Sequence, residues 1–177
     1  MKILNFYTLF SLILLSTISI SNAAPAPYSA TSEPKVWVGQ IYASYLAAQH
    51  STAAINQPEN FTDVIIHRAT PQLTKLLKLE NTCTQQEGIC ALDHDFIVAG
   101  QDYEIKKLTI SKFITDKNKG YLKVNFENFH VPTQVTFEFL KINNNWKINN
   151  IISGVINQQS SNLQHDLKTY FNKSAQQ

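Results

Sequence analysis

The sequence predicts an α+β fold: N-terminal helices on a curved four-stranded antiparallel sheet, closed by a C-terminal helix. Three observations carry this expectation. Apolar residues recur at helical spacing up to about residue 80, alternate with period two from Tyr103 to about residue 155, and return to helical spacing after Ser161. Helices followed by consecutive hairpin strands give a layered α+β arrangement, not alternating β-α units.

The first elements precede the fold. Met1-Lys2 is a short positive start, "ILNFYTLFSLILLSTISI" is an apolar run diluted by Ser and Thr, and "SNAA" places Ser21 and Ala23 where a signal peptidase reads small residues. Residues 1–23 therefore read as a secretory signal cut after Ala23. An uncleaved anchor needs about 20 consecutive apolar residues, and this stretch is interrupted by polar ones. No cysteine stands near the cleavage point to accept a lipid. Residues 24–33, "APAPYSATSE", are small, polar and Pro-rich, and read as a flexible leader. A single domain is expected over 34–175.

Within it, Ser32 is placed to cap a helix with Glu33 and Pro34 in its first turn. Val38, Ile41, Tyr42, Tyr45 and Leu46 form its apolar stripe. "NQPENFT" is a loop, after which Phe61, Val64 and Ile65 resume helical spacing. Thr70-Pro71 is a cap and first turn, and Leu73, Leu76 and Leu77 mark a short helix ending near Glu80. The strands "YEIKKLTISKFIT", "GYLKVNFENF", "TQVTFEFLKI" and "NWKINNII" alternate apolar and polar residues and are rich in β-branched and aromatic types. Leu122, Val124 and Phe126 share one face, as do Val135, Phe137 and Phe139. Ile105 is out of phase with Leu108 and Ile110, which a bulge near Lys106-Lys107 reconciles. "DKNKG", "HVPT" and "NNN" fall at the turns. Leu163, Leu167, Tyr170 and Phe171 outline the last helix, with Ser160 or Ser161 as its cap.

Charge narrows the function. The chain has 15 Lys+Arg and 13 Asp+Glu; loss of the signal removes Lys2 and no acid, leaving 14 against 13. No basic cluster exists to neutralise a phosphate backbone, so nucleic acid is not an expected partner. After signal removal no stable membrane insertion is expected either.

"CTQQEGICALDHDFIVAGQDY" holds both cysteines. In an exported chain, Cys83 and Cys90 are expected to form a disulfide, contributing roughly 2–3 kcal/mol by the chain-entropy account. A metal site on Cys83, Cys90 and His94, even with Asp93 and Asp95, lacks the paired short spacings of structural zinc. The two-residue spacing of redox-active pairs is absent. Asp93, Asp95 and Asp102 offer paired carboxylates for acid/base work, but aspartates in a connecting loop more simply cap turns and accept backbone N–H bonds. Asp102, where the chain turns into the first long strand, is expected to do so.

"ALDHDFIVAGQDY", the strand region after it and "VTFEFLKINNNWKINNII" resemble an uncharacterised family of exported bacterial domains. The resemblance covers roughly residues 36–155, and its motif falls on Asp93, Asp95, Phe96, Gln101, Asp102, Tyr103, Trp146, Lys147 and Ile148. That family is similar to the nuclear transport factor two-like (cystatin-like) superfamily, in which a curved sheet wraps helices into a cone. The resemblance implies fold and export, and no reaction.

The remaining features favour bland readings. His50, His67, His94, His130 and His165 show no metal-ligand spacing, no Gly-x-Ser-x-Gly elbow exists, and five glycines leave no phosphate-cradling loop. Asn60-Phe-Thr and Asn172-Lys-Ser match the glycosylation pattern, which matters only in a eukaryotic secretory pathway. No cofactor, metal or catalytic residue is expected.

Two functions from different classes follow. One is a non-catalytic envelope protein that binds another envelope or secreted protein, as an accessory factor or an immunity protein against a toxin. The other uses the cone interior as a pocket for a small apolar molecule, with isomerase- or dehydratase-like chemistry by fold analogy alone. Strand faces reading Leu-Val-Phe and Val-Phe-Phe favour a filled core and hence binding. The long polar Gln85, Gln86 and Glu87 beside the bridge form the candidate interaction loop. The expected compartment is the periplasm or the exterior. Intact-mass measurement of the exported protein should show loss of residues 1–23; a full-length species that pellets with membranes would contradict it.

Overall fold

Local signals become elements where a cap, an apolar stripe and a breaker coincide. The structure is a computed structural model that describes residues 34–50 and 60–174. The expected signal, the leader and the Ser32 cap lie outside those residues. Helix α1 (Pro34–Gln49) buries Trp37, Val38, Ile41, Tyr42 and Tyr45 along one stripe. Helix α2 (Phe61–Ile66) starts at Asn60, whose side-chain oxygen accepts the Thr62 N–H at 3.0 Å. Helix α3 (Pro71–Glu87) starts at the Thr70 cap with Pro71 in the first turn.

Helix α3 does not end near Glu80. It continues for about two further turns to Gly88, whose φ of 86° is the left-handed stop that glycine supplies. Residues 81–87 are polar but contain no breaker. Their apolar periodicity stops because that segment is largely solvated, and periodicity reports burial, not helicity. Gln85, Gln86 and Glu87 therefore form the last helical turn instead of a loop, and all three remain exposed.

The sheet has six antiparallel strands: β1 (Ile105–Ile110), β2 (Ile114–Asp116), β3 (Lys119–Asn128), β4 (Val131–Ile142), β5 (Asn145–Val155) and β6 (Ser161–Asn162). Their order is β1-β3-β4-β5-β6, with β2 also on β3. The two strands beyond the expected four have simple origins. The long first strand breaks at Ser111–Phe113, where Ser111 still pairs with Lys123 through its backbone N–H and its hydroxyl oxygen. Strand β6 is too short to show alternation. The register shifts between Lys106 and Thr109, and Lys107 has φ 53°, so the expected bulge is present. A second shift leaves Asn149 unpaired between Phe139–Ile148 and Glu138–Asn150, which turns both Ile148 and Ile151 into the core.

Leu122, Val124, Phe126, Val135, Phe137 and Phe139 form the inward face, and Tyr42 of α1 lies 5.8 Å from the Phe126 ring. Helix α4 (Leu163–Ser174) buries Leu163 and Leu167 and runs beside α3. Its cap is Asn162, not Ser160 or Ser161. The Asn162 side chain accepts the His165 N–H at 3.0 Å, and Asp166 accepts the Asn162 N–H at 3.1 Å. This is the reciprocal logic of a capping box, shifted by one residue. Among the described residues no helix is long and apolar enough to cross a membrane.

Phe113, between β1 and β2, folds over the sheet against Phe139 (5.4 Å) and Trp146 (5.1 Å). It occupies the space above Gly120, where a Cβ would meet its ring at 2.3 Å. Two edge-to-face contacts hold that ring, so it has little freedom to withdraw. Gly120→Ala should destabilise the protein by about 1–3 kcal/mol in urea unfolding, and Phe113→Leu should relieve part of that loss in the double variant.

Candidate functional site

The loop from Gly88 to Glu104 carries most of the singled-out residues, and three anchors fix it. The first is covalent: Cys83 in the penultimate turn of α3 is bonded to Cys90 just after the Gly88 stop, with Cα atoms 6.1 Å apart. The second is Glu80, one turn earlier on α3 and buried. Its two carboxylate oxygens accept the Ala91 N–H at 3.1 Å and the Leu92 N–H at 3.0 Å. Burial pushes this carboxyl up and the two amide bonds oppose it. Sequence reasoning missed Glu80, although a charged residue on the apolar side of an amphipathic stripe was the signal available.

The third anchor is Asp95. Its Oδ1 accepts the Ile97 N–H at 2.7 Å, and its Oδ2 accepts the Tyr45 hydroxyl from α1. Its backbone exchanges two bonds with Gly100, at 3.0 and 3.2 Å. The closed turn carries Phe96, Ile97 and Val98 into the core, and the Tyr42 hydroxyl donates to the Ile97 carbonyl at 2.7 Å. Tyr103 meets the Tyr45 ring edge-on at 5.2 Å. Burial raises the Asp95 carboxyl, with the Tyr45 hydrogen bond opposing. Burial and the nearby Asp95 charge hold all three tyrosine hydroxyls above their usual range. The hydroxyls are therefore donors, not bases.

The other motif residues divide. Asp93 is exposed and contacts His94 Nδ1 at 2.8 Å, which lowers its carboxyl. The His94 ring stacks on Phe96 at 4.5 Å, and Gln101 Nε2 donates to the Asp93 carbonyl at 3.0 Å. Asp102 is exposed, and among the described residues its carboxylate accepts no hydrogen bond. The expected anchoring role falls to Asp95 and to Asn128. The Asn128 amide donates to the Val98 and Asp102 carbonyls at 3.1 and 3.3 Å, and its oxygen accepts the Glu104 N–H at 2.9 Å. Trp146, Lys147 and Ile148 sit on β5, apart from the loop. Trp146 packs on Phe113, Lys147 pairs with Leu140, and Ile148 joins α3 to the sheet through Thr70 N–H to its carbonyl (2.7 Å) and its own N–H to the Arg68 carbonyl (2.8 Å).

Chemically, the ingredients are committed. The Cys83 and Cys90 sulfurs lie with a Glu87 oxygen within 4.8 Å of one another, but both sulfurs are already in the disulfide and offer no thiolate. Asp95 is enclosed by its donors. A groove of about 450 Å³ runs between the loop and α4, lined by Asp93, His94, Phe96, His165, Tyr170 and Lys173 among others, and Asp95 does not reach it. One residue of the loop is turned the other way. Ile89, beside the disulfide, is 69% exposed, the most of any large apolar residue described.

Comparison with family models and with curated proteins found no match.

The Asp95 environment predicts a pH dependence. A carboxyl whose folded-state value is raised binds its proton more tightly in the folded protein. Its contribution to stability is fullest below the ordinary aspartate range and is lost as pH rises through the raised value. Relative to Asp95→Asn, the wild type should therefore gain stability in urea unfolding between about pH 7 and about pH 4. A relative loss over that range would reverse the assigned direction.

Proposed function

We propose that this chain is an exported, non-catalytic binding protein of the bacterial cell envelope, of the accessory or toxin-immunity type. It docks on another protein through the stapled turn at the end of α3. The observation that carries this reading is Ile89, a large apolar side chain held in solvent by a disulfide, a glycine stop and the Glu80 clamp. Burying such a side chain on a partner contributes about 1.5–3 kcal/mol at most, and a turn already fixed in one shape loses little entropy on binding. Exposed Gln85, Gln86 and Glu87 flank it as a polar rim, the arrangement that surrounds binding hot spots.

The secretory reading of residues 1–23 and the disulfide support export to the periplasm or beyond. The motif resemblance and the α+β architecture support membership of a nuclear transport factor two-like family. The alternative, a small apolar ligand in the cone, has less support. Tyr42, Tyr45, Phe96 and Phe137 fill the space beneath the sheet and are fully buried.

Ile89→Asp in the oxidised protein should lower affinity for the captured envelope partner by roughly tenfold or more, with far- and near-UV circular dichroism unchanged. Alanine at Gln85, Gln86 and Glu87 should act in the same direction and more weakly. Unchanged capture with an intact fold would place the site elsewhere, and saturable binding of a small apolar molecule would favour the interior.

A further inference from the structure

The hairpins gather lysines that the sequence spreads from residue 112 to residue 147. The β2–β3 turn and the β4–β5 turn lie at one end of the sheet, where the Lys141 N–H donates to the Asn118 carbonyl at 2.8 Å. Lys112, Lys117, Lys119, Lys123, Lys141 and Lys147 stand at that end, and the same stretches of strand and turn carry two acids, Asp116 and Glu138. That is six basic groups against two. The rest of the described chain carries eight Lys and Arg against nine Asp and Glu, so the positive charge of the described residues is concentrated there.

Strand pairing fixes which of these groups share a surface. Lys119 is opposite Leu140, and Leu140 is opposite Lys147, in one row across β3, β4 and β5. Lys123 lies on the same side of β3, and Tyr121 falls between the two lysines, opposite Ile114 of β2. This is the face turned away from the core, since Leu122 and Val124 enter the core from the other side. All six lysines except Lys147 are exposed, and none makes an ion pair among the described residues. Lys141 rests over the Trp146 ring at 5.6 Å, and Glu138 accepts the Asn150 side-chain N–H at 3.1 Å. Lysines also guard sheet edges against pairing with other chains. Strand β3 is paired on both sides, so Lys119 and Lys123 guard no edge.

We infer that this end of the sheet docks on an anionic phospholipid surface, in a shallow and reversible attachment separate from the stapled turn. Charge complementarity selects an anionic occupant, and a second copy of this chain would bring the same positive end. The residue types select among anions. The one arginine of the chain is Arg68, away from this end, so no guanidinium fork is present to read a phosphate or a base edge in fixed geometry. Lysines are point charges on flexible stems, which suits headgroups that are themselves mobile. Ile114, 64% exposed, and the half-buried Tyr121 and Leu140 are interleaved with the lysines. Apolar and aromatic side chains of this kind rest at the boundary between headgroups and acyl chains, whereas a soluble polyanion would leave Ile114 in water.

The test is co-sedimentation of the oxidised, exported protein with phosphatidylethanolamine/phosphatidylglycerol vesicles and with phosphatidylcholine vesicles. Binding is expected to the anionic vesicles alone. It should disappear as salt rises from about 0.1 M to about 1 M, where the screening length falls to about 3 Å. Lys119→Gln/Lys123→Gln/Lys147→Gln should lower the partition coefficient roughly hundredfold, at about fivefold per lysine. Because Lys147 is half-buried, Lys112→Gln/Lys117→Gln/Lys119→Gln, at exposed positions only, should act alike with unchanged circular dichroism. The control Lys35→Gln/Lys75→Gln/Lys78→Gln makes the same charge change on α1 and α3 and should stay within about fivefold of wild type. Ile114→Ser should weaken vesicle binding and leave retention on heparin, a soluble polyanion, unchanged. No binding, equal loss in the control, or vesicle binding indifferent to Ile114→Ser would overturn the inference. Tighter binding to heparin or duplex DNA than to vesicles would make the occupant a soluble polyanion and overturn it too. Ile89→Asp should bind vesicles as wild type does, so failure here is distinguishable from failure of the stapled-turn reading.

Discussion

One partly buried carboxylate, that of Asp95, sets the shape of the region that the rest of the molecule presents. An aspartate withdrawn from water without donors costs several kcal/mol, so Asp95 stays folded inward only while Tyr45 and the Ile97 N–H both reach it. That requirement fixes the rotation of α1 about its axis, since Tyr45 must point at the loop, and it closes the turn that drives Phe96, Ile97 and Val98 into the core. Tyr42, one turn before Tyr45 on the same helix, then meets the Ile97 carbonyl. A single acid thereby couples the first helix, the connecting loop and the underside of the sheet.

Glu80 performs the same operation from the opposite side, with α3 in place of α1 and the Ala91 and Leu92 amides as donors. Two carboxylates, one satisfied by backbone N–H groups and the other by a backbone N–H and a tyrosine hydroxyl, make a long connection behave as part of the core. A paired catalytic acid and base would need different environments facing a common opening. Here each acid faces its own donors: Glu80 the Ala91 and Leu92 amides, Asp95 the Tyr45 hydroxyl and the Ile97 amide.

The fold was legible in the sequence to the extent that burial leaves a period. The α1 stripe, the alternating faces of β3 and β4 and the Lys106-Lys107 bulge all follow from side-chain spacing. The solvated end of α3 did not, because Asn81–Glu87 carry no apolar rhythm, and neither did β6, which is too short to have one. At the candidate site, the disulfide followed from the cysteine count and the compartment that residues 1–23 lead one to expect. The division of labour among the aspartates did not: Asp95 and Asp102 are alike in sequence, and the closed turn to Gly100 with the approach of Tyr45 from 50 residues away separates the partly buried one from the exposed one. Glu80 and Ile89 escaped for a related reason, since their meaning lies in a contact made and a contact withheld.

The bridge and the Glu80 clamp act on adjacent but separate stretches. Glu80 holds Ala91 and Leu92 from outside the ring that Cys83 and Cys90 close, and within that ring only Thr84 is partly covered, its hydroxyl bonded to the Glu80 carbonyl. Composition between the cysteines is therefore nearly uncoupled from the core. Replacing those residues, apart from the Gly88 stop that ends α3, would alter what the surface displays and leave the hydrophobic interior as it is. With Gly88 kept, the segment is a surface whose chemistry can be rewritten without disturbing the scaffold that carries it.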